Sequence, residues 1–221
     1  MQDRWNAILG FMEMGGIAIW VIAGLAVITA GLILWKVLRL GLSGTWRPGR
    51  TERAVRMWQA GDRAEARRLV DGRNGVYAVP VRAAMDGIAS DHMTPDTRRE
   101  EVSRVAAGEL FRQRKGLRAL ELVATIAPLV GLLGTVLGMV AAFQALEAAG
   151  SRADPSDLAG GIWEALLTTA AGMAVAIPAS AALTWFESIA DRAQGRIEDM
   201  VTRLLLSPEP EDAQQVLKAA E

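Results

Sequence analysis

The sequence predicts an all-α integral membrane protein with three transmembrane helices, the second and third extended into the cytoplasm. Two observations carry that prediction. The first is the segregation of charge from apolarity. Of 221 residues, 51% are hydrophobic and 22% charged, yet three long runs are nearly free of charge. No Lys, Arg, Asp or Glu occurs from Gly15 to Trp35 or from Leu122 to Leu146, and between Leu158 and Phe186 only Glu164 does. Each run exceeds the ~20 residues needed to cross a ~30 Å hydrocarbon core. The second observation is the placement of basic residues. Of 24 Lys and Arg, 18 lie between Lys36 and Arg118; Arg4 alone precedes the first run and Arg152 alone separates the second from the third. The positive-inside bias therefore assigns the middle segment and the C-terminus to the cytoplasm, and the N-terminus and short loop to the periplasm.

Taken in order, residues 1–15 are a periplasmic N-terminal segment. They lack a basic n-region, and no small-residue cleavage site follows, so 16–35 is read as a retained first span and not a removed signal peptide. That span, GIAIWVIAGLAVITAGLILW, carries only Thr29 as a polar group and reads as a plain lipid-facing helix. Residues 36–118 form a cytoplasmic helical segment. Within RMWQAGDRAEARRLV, Met57, Ala60, Ala64 and Arg68 or Leu69 fall at helical spacing, with Gly61-Asp62 as break and cap. From Pro95 the chain runs into the second span without another proline or turn cluster, which predicts one long helix. Val102, Val105, Leu110 and Leu117 give it an apolar side, and Arg98, Arg99, Arg104 and Arg112 a wet one. The second span is 119–146, a periplasmic loop is 147–159, and the third span is 160–186. Residues 187–221 form a cytoplasmic C-terminal helix and a tail, SPEPEDAQQVLKAAE, whose two prolines predict a loose end.

Composition excludes several chemistries. With no cysteine there is no disulfide framework, zinc ribbon or thiol chemistry, and one histidine, His92, holds no metal cluster. A net charge of −1 gives no support to nucleic-acid binding. HExxH and paired intramembrane aspartates are absent, and GLLGTVLG lacks the lysine and preceding strand of a phosphate loop. The chain is therefore expected not to be an enzyme and to need no metal or cofactor.

Polar groups are concentrated on spans two and three. The second carries Thr125, Pro128, Thr135 and Gln144; the third carries Glu164, Thr168, Thr169, Pro178 and Ser180. Such groups usually face the bundle interior or a wet cavity. Gly134 with Gly138, and Ala127 with Gly131, are small-xxx-small pairs that let backbones approach where lipid supplies no hydrophobic drive. Gly131 and Thr135 share one side of the second span. Glu164, Thr168 and Gly172 share one side of the third, with Ala165, Thr169 and Ala176 beside it. At ~1.5 Å per residue, Thr135 lies roughly 16 Å inside Leu146 and Thr169 roughly 13 Å inside Gly160. The antiparallel spans thus bring two hydroxyls to one level near mid-membrane, with Glu164 about 6 Å in from the outer edge. Pro128 and Pro178 are read as helix kinks within the packed spans. No titratable side chain of this chain lies level with the threonines.

The stretch APLVGLLGTVLGMVAAFQAL, followed by DLAGGIWEALLTTAAGMAVAIPASAALTWFE, resembles the MotA/TolQ/ExbB family of proton-channel subunits, nearest to its ExbB and TolQ branch. Gly15-Gly16 and Trp20 of the first span, and AGDRAEARRLV in the cytoplasmic segment, resemble that branch more weakly. The resemblance implies a homo-oligomeric ring, a pentamer, in the bacterial inner membrane. Spans two and three would line a pore that holds the single-span helices of an ExbD- or TolR-like partner. Proton flow at that interface would drive a TonB- or TolA-like protein across the periplasm. By the same resemblance, Thr135 faces the partner's essential aspartate, Thr169 is the matching threonine of the third span, and Glu164 stands at its outer end. Trp163 and Thr168 depart from the pattern, and the second leaves Thr168 and Thr169 both as pore-facing candidates. A threonine hydroxyl does not titrate near neutral pH, so proton movement requires a carboxylate from another chain. A MotA-like flagellar subunit fits less well, since that branch usually has four spans. A passive membrane scaffold would keep the glycine packing but would not need Glu164 or the aligned threonines.

Overall fold

The computed structural model describes residues 16–42, 48–90, 92–150 and 154–207. The N-terminal segment 1–15, Arg152 and all but the first residue of the C-terminal tail lie outside the described residues. Seven helices and no strand occur among those described: α1 Gly16–Leu42, α2 Gly49–Gln59, α3 Arg63–Val70, α4 Ala78–Ile88, α5 Pro95–Arg114, α6 Leu117–Ala149 and α7 Pro155–Leu205. Three of them are long and apolar enough to cross a membrane, in the regions expected for spans one, two and three. The protein is thus an all-α, multi-pass membrane protein. The chain divides into two compact units, residues 1–35 with 116–185 and residues 36–115 with 186–221.

In the unit of residues 36–115 and 186–221, short amphipathic helices surround one core. Trp58 of α2, Val70 of α3, Met85 of α4 and Val102 of α5 meet Ile197, Met200 and Leu204 of α7, each no more than 4% exposed. The local signals explain the ends. Gly61, at φ +92°, turns the chain between α2 and α3, and Asp62 caps α3 by accepting from the Glu65 amide at 3.3 Å. Thr94 caps α5 in the same way through the Thr97 amide, with Pro95 in its first turn, where its missing N–H is no loss. Arg67 of α3 and Asp86 of α4 form an ion pair at 2.6 Å.

Three expectations are corrected here. Of the stripe Met57, Ala60, Ala64 and Arg68 or Leu69, Met57 and Leu69 pack partly buried against the core, but Ala60, Ala64 and Arg68 are exposed, and the fully buried positions are Ala54, Val55, Ala66 and Val70. The turn at Gly61 resets the helical phase, so a single stripe cannot continue across it. Arg98, expected on the wet side of α5, packs its stem against Gly87 of α4; a Cβ there would lie 2.8 Å from Arg98 Cγ. The helix from Pro95 is also interrupted. α5 ends at Arg114 and α6 starts at Leu117, with Gly116 at φ +88° between them. Glycine adopts that left-handed conformation without a Cβ penalty, and Arg112 and Arg114 occupy the last turn before it.

In the unit of residues 1–35 and 116–185, the packing is different. The contact between α6 and α7 includes Val123, Ala127, Ala176 and Ala179. The first span is not a uniformly lipid-facing helix. Ile19, Ile22 and Thr29 are at most 4% exposed, whereas Ile17 and Val27 are more than 70% exposed, so α1 has a protein side and an outer side. The Thr29 hydroxyl is satisfied within α1, donating to Leu25 O at 2.8 Å.

Candidate functional site

The candidate site belongs to the membrane-spanning unit and is built from the close approach of α6 and α7. Ideal Cβ positions measure how close. One at Gly172 would lie 2.6 Å from Ala127 O, and one at Gly131 would lie 2.9 Å from Thr168 O and 3.0 Å from Thr169 Cα. One at Gly138 would meet Ala165 Cβ at 3.0 Å, and one at Gly161 would meet Ala142 Cβ at 2.7 Å. Real Cβ atoms do not come this close to backbone, so the helices stand at a separation that only glycine permits on these faces. The sequence of contacts is antiparallel, as the spacing required. Gly134 adds the first span: its Cβ would lie 2.9 Å from Ala18 Cβ and 2.6 Å from Thr168 Oγ1. Sequence reasoning missed Ala18, Gly161 and Ala142 in this ladder. The Gly160-Gly161 pair at the start of the third span was the available signal.

Pro128 and Pro178 both stand inside continuous helices. Pro128 is half-buried and next to Ala127, the residue under Gly172; Pro178 is exposed, its neighbour Ala179 being the fully buried one.

The hydroxyls of this unit sort into three conditions. Thr29, Thr125 and Thr184 each donate to their own i−4 carbonyl, the ordinary way for a membrane helix to satisfy a hydroxyl. Thr168 is 2% exposed, and its Oγ1 lies 2.7 Å from Ala165 O and 3.1 Å from Gly131 O on α6. One proton is shared between the two carbonyls, and the second of them ties α7 to α6. Thr169 differs from both groups. Its Oγ1 is buried and has no hydrogen-bond partner. A buried hydroxyl without a partner costs about 1–3 kcal/mol. Thr135 is half-buried and donates to Leu132 O at 2.6 Å.

Thr135 also stands at one end of a groove of about 470 Å³ that runs along α6 past Met139, Phe143 and Gln144 to Glu147. Its walls are mostly apolar side chains, with polar atoms at Thr135, Gln144 and Glu147. Glu164 is half-buried one turn before Thr168, and Trp163 beside it is 67% exposed. The structure therefore sets Thr168 and Thr169 against Gly131 and Gly134 of α6, while Thr135, next to Gly134 in the chain, lines the groove on α6. Glu164 lies one to two turns nearer the start of α7. Among the described residues, no group of three or more His, Cys, Asp and Glu is arranged to hold a metal.

These features define a class: a multi-pass helical membrane protein whose two polar spans pack through glycines, with a groove along α6 that starts at Thr135. The comparisons give it a family. The model of the MotA/TolQ/ExbB proton channel family matches residues 74–199, and the chain belongs to that family. Its relatives include a putative biopolymer transport protein ExbB-like 1 of Synechocystis, 47% identical over 39% of this chain and 35% of its own length. The biopolymer transport protein exbB1 of Vibrio cholerae is 37% identical over 50% of this chain and 49% of its own length. The Tol-Pal system protein TolQ of Pseudomonas aeruginosa is 37% identical over 46% of each chain. The matched region spans between about a third and a half of these relatives' lengths.

Proposed function

We propose that this chain is an ExbB-like proton-channel subunit of the bacterial inner membrane, a non-enzymatic part of a motor that energises TonB-dependent transport. It acts as a homo-oligomer, a pentamer, around an ExbD-like single-span partner. The N-terminus is periplasmic, and the middle segment and C-terminus are cytoplasmic. The observation that carries this reading is the buried, unpartnered hydroxyl of Thr169 in the family's matched region; the Thr169 backbone lies against Gly131, which is one helical turn from Thr135 on α6.

The chemistry follows from what that region contains and lacks. Transferring a proton across a bilayer needs a group that changes charge near mid-membrane, and hydroxyls do not titrate there. A partner carboxylic acid placed in the groove beside Thr135 would be desolvated, which raises its pKa and favours the neutral form. Thr169 supplies a hydroxyl that can donate to the carboxylate or accept from the acid. Thr135, whose proton is turned inward to Leu132 O, offers its oxygen. Protonation and release of the partner's acid would then alternate between two hydrogen-bonded states at one level of the membrane. Exposed apolar side chains on α6, among them Leu129, Leu133, Val136, Val140 and Phe143, leave room for neighbouring helices to complete the ring. Glu164 stands toward the periplasmic mouth.

A second reading is a TolQ-like subunit serving envelope integrity through TolR- and TolA-like partners, supported by the TolQ relative's identity, equal to that of the Vibrio cholerae exbB1 protein. Affinity capture from native membranes tests both. The expected result is co-purification of a single-span protein with an acidic residue in its span, together with a TonB-like protein, and proton uptake into vesicles only when chain and single-span protein are both present. Capture of TolA-like protein selects the second reading. Vesicles that take up no protons with both chains present contradict the channel role.

A further inference from the structure

A second polar site lies in the unit of residues 36–115 and 186–221. The C-terminal part of α1, the Asn74-Gly75-Val76 segment before α4 and the end of α5 enclose a cleft of about 90 Å³. Its polar lining is Lys36, Arg39, Asn74, Glu109, Arg112 and Gln113. Three cations and one carboxylate leave a net charge of two positives. Glu109 is held by Arg112 at 2.6 Å, so the carboxylate is directed to one guanidinium within the same wall.

Lys36 is the unusual member. It is 3% exposed, although a buried charge normally requires a counter-charge. Its ammonium donates to the carbonyls of Gln113 and, at 2.8 Å, of Lys115, both at the end of α5. These acceptors cap the helix, and the helix dipole there favours a cation. Both are neutral, however, so they solvate the charge without cancelling it. Arg39 and Arg112 line the same small space.

Size and position narrow what the cleft would take. Sites for drug-sized molecules occupy ≈ 300–1,000 Å³, so a cleft of about 90 Å³ suits one compact anionic group. Lys36 and Arg39 immediately follow the charge-free run that ends at Trp35, which puts them at headgroup depth. Basic pockets at that level bind anionic headgroups. We infer that the cleft between α1 and the end of α5 is a phosphate site, supplied by an anionic phospholipid headgroup or by free phosphate. Arg39 and Arg112 act as the forked donors suited to phosphate oxygens, and Lys36 as the fixed positive charge behind them.

The test uses the full chain in nanodiscs of phosphatidylcholine, in nanodiscs of equal parts phosphatidylcholine and phosphatidylglycerol, and in phosphatidylcholine with inorganic phosphate. The thermal unfolding midpoint is read in each. Lys36 is left intact because it caps α5; the variants are Arg39→Gln, the exposed Arg112→Gln, and the pair together. Phosphatidylglycerol is expected to raise the midpoint by about 3 °C over phosphatidylcholine, and the double variant to show no such gain over its own midpoint in phosphatidylcholine alone. A gain from phosphatidylglycerol but not from inorganic phosphate assigns the source to lipid; an equal gain from both assigns it to free phosphate. No gain from either, or a gain retained in the double variant, overturns the site.

Discussion

The two compact units of this molecule solve the packing problem by opposite means. In the unit of residues 36–115 and 186–221 the buried positions are large: Trp58 of α2, Met85 of α4 and Ile197, Met200 and Leu204 of α7 share one core. In the membrane unit the helix contact is made by what is missing. A Cβ at Gly131 would come within 3.0 Å of the Thr168 backbone, one at Gly134 within 3.0 Å of the Thr168 side chain and Ala18, and one at Gly172 within 3.0 Å of Ala127 O, while one at Gly138 would lie 3.0 Å from Ala165 Cβ; Leu129, Leu133 and Phe143 are exposed. In water, burying area stabilises a core. In lipid the tails are as apolar as leucine, so stability comes from close approach and polar ties. A large-to-small change should therefore damage the first unit, and a small-to-large change the second.

Four substitutions probe that contrast, in falling order of effect. Met85→Ala removes a side chain that is 0% exposed and should destabilise the unit of residues 36–115 and 186–221 by about 2–5 kcal/mol, read as loss of protection of its amides in hydrogen exchange. Gly172→Ala places a methyl 2.6 Å from Ala127 O, so α6 and α7 must part. Overpacking of this kind costs about 1–3 kcal/mol and should lower the unfolding midpoint in detergent. Gly24→Ala, whose Cβ meets nothing within 4 Å, is the matched control. Equal midpoints for the two variants would remove the case for distance-limited packing. Asp62→Ala deletes the cap of α3 and should cost about 1 kcal/mol, visible as fraying of Arg63–Val70. Thr168→Val removes the tie to Gly131 O and should cost only about 0.6 kcal/mol. A loss as large as that of Met85→Ala would mean that this hydroxyl bears more of the membrane contact than glycine packing does.

How much of this was legible in the sequence depends on the length scale of each signal. Exclusion of charge over more than twenty residues is imposed by the bilayer itself, so the three spans could be read directly. The glycine ladder was legible because helical spacing and lipid together leave small residues few other uses. Short-range features were harder. The break at Lys115-Gly116 rests on one residue's φ, although a glycine after Arg112 and Arg114 is a helix-stop pattern. The phase of α2 and α3 was misjudged because one turn at Gly61 decouples two helices that each carry their own stripe. Helix α4 carries Val81, Ala84, Met85 and Ile88 at helical spacing, a signal that was available but not used, and the buried side of α1 is hard to see in a run where nearly every residue is apolar. Spacing alone left Thr168 and Thr169 as equal candidates, since adjacent residues differ by only 100° around a helix. The hydroxyl geometry separates them: Thr168 is bonded across to α6, and Thr169 is buried without a partner.

That separation is where the account is most exposed. The direct test reconstitutes the chain with its single-span partner in liposomes and measures proton flux under a fixed pH gradient. Wild type is compared with Thr135→Val, Thr169→Val and Thr168→Val, each first shown to assemble. The account predicts a fall of at least about tenfold for Thr135→Val and for Thr169→Val, equivalent to the ~1.4 kcal/mol of one lost hydrogen bond to the partner's acid. Thr168→Val should retain most of the flux. Wild-type flux in Thr169→Val, or a deeper loss in Thr168→Val than in Thr169→Val, would contradict it.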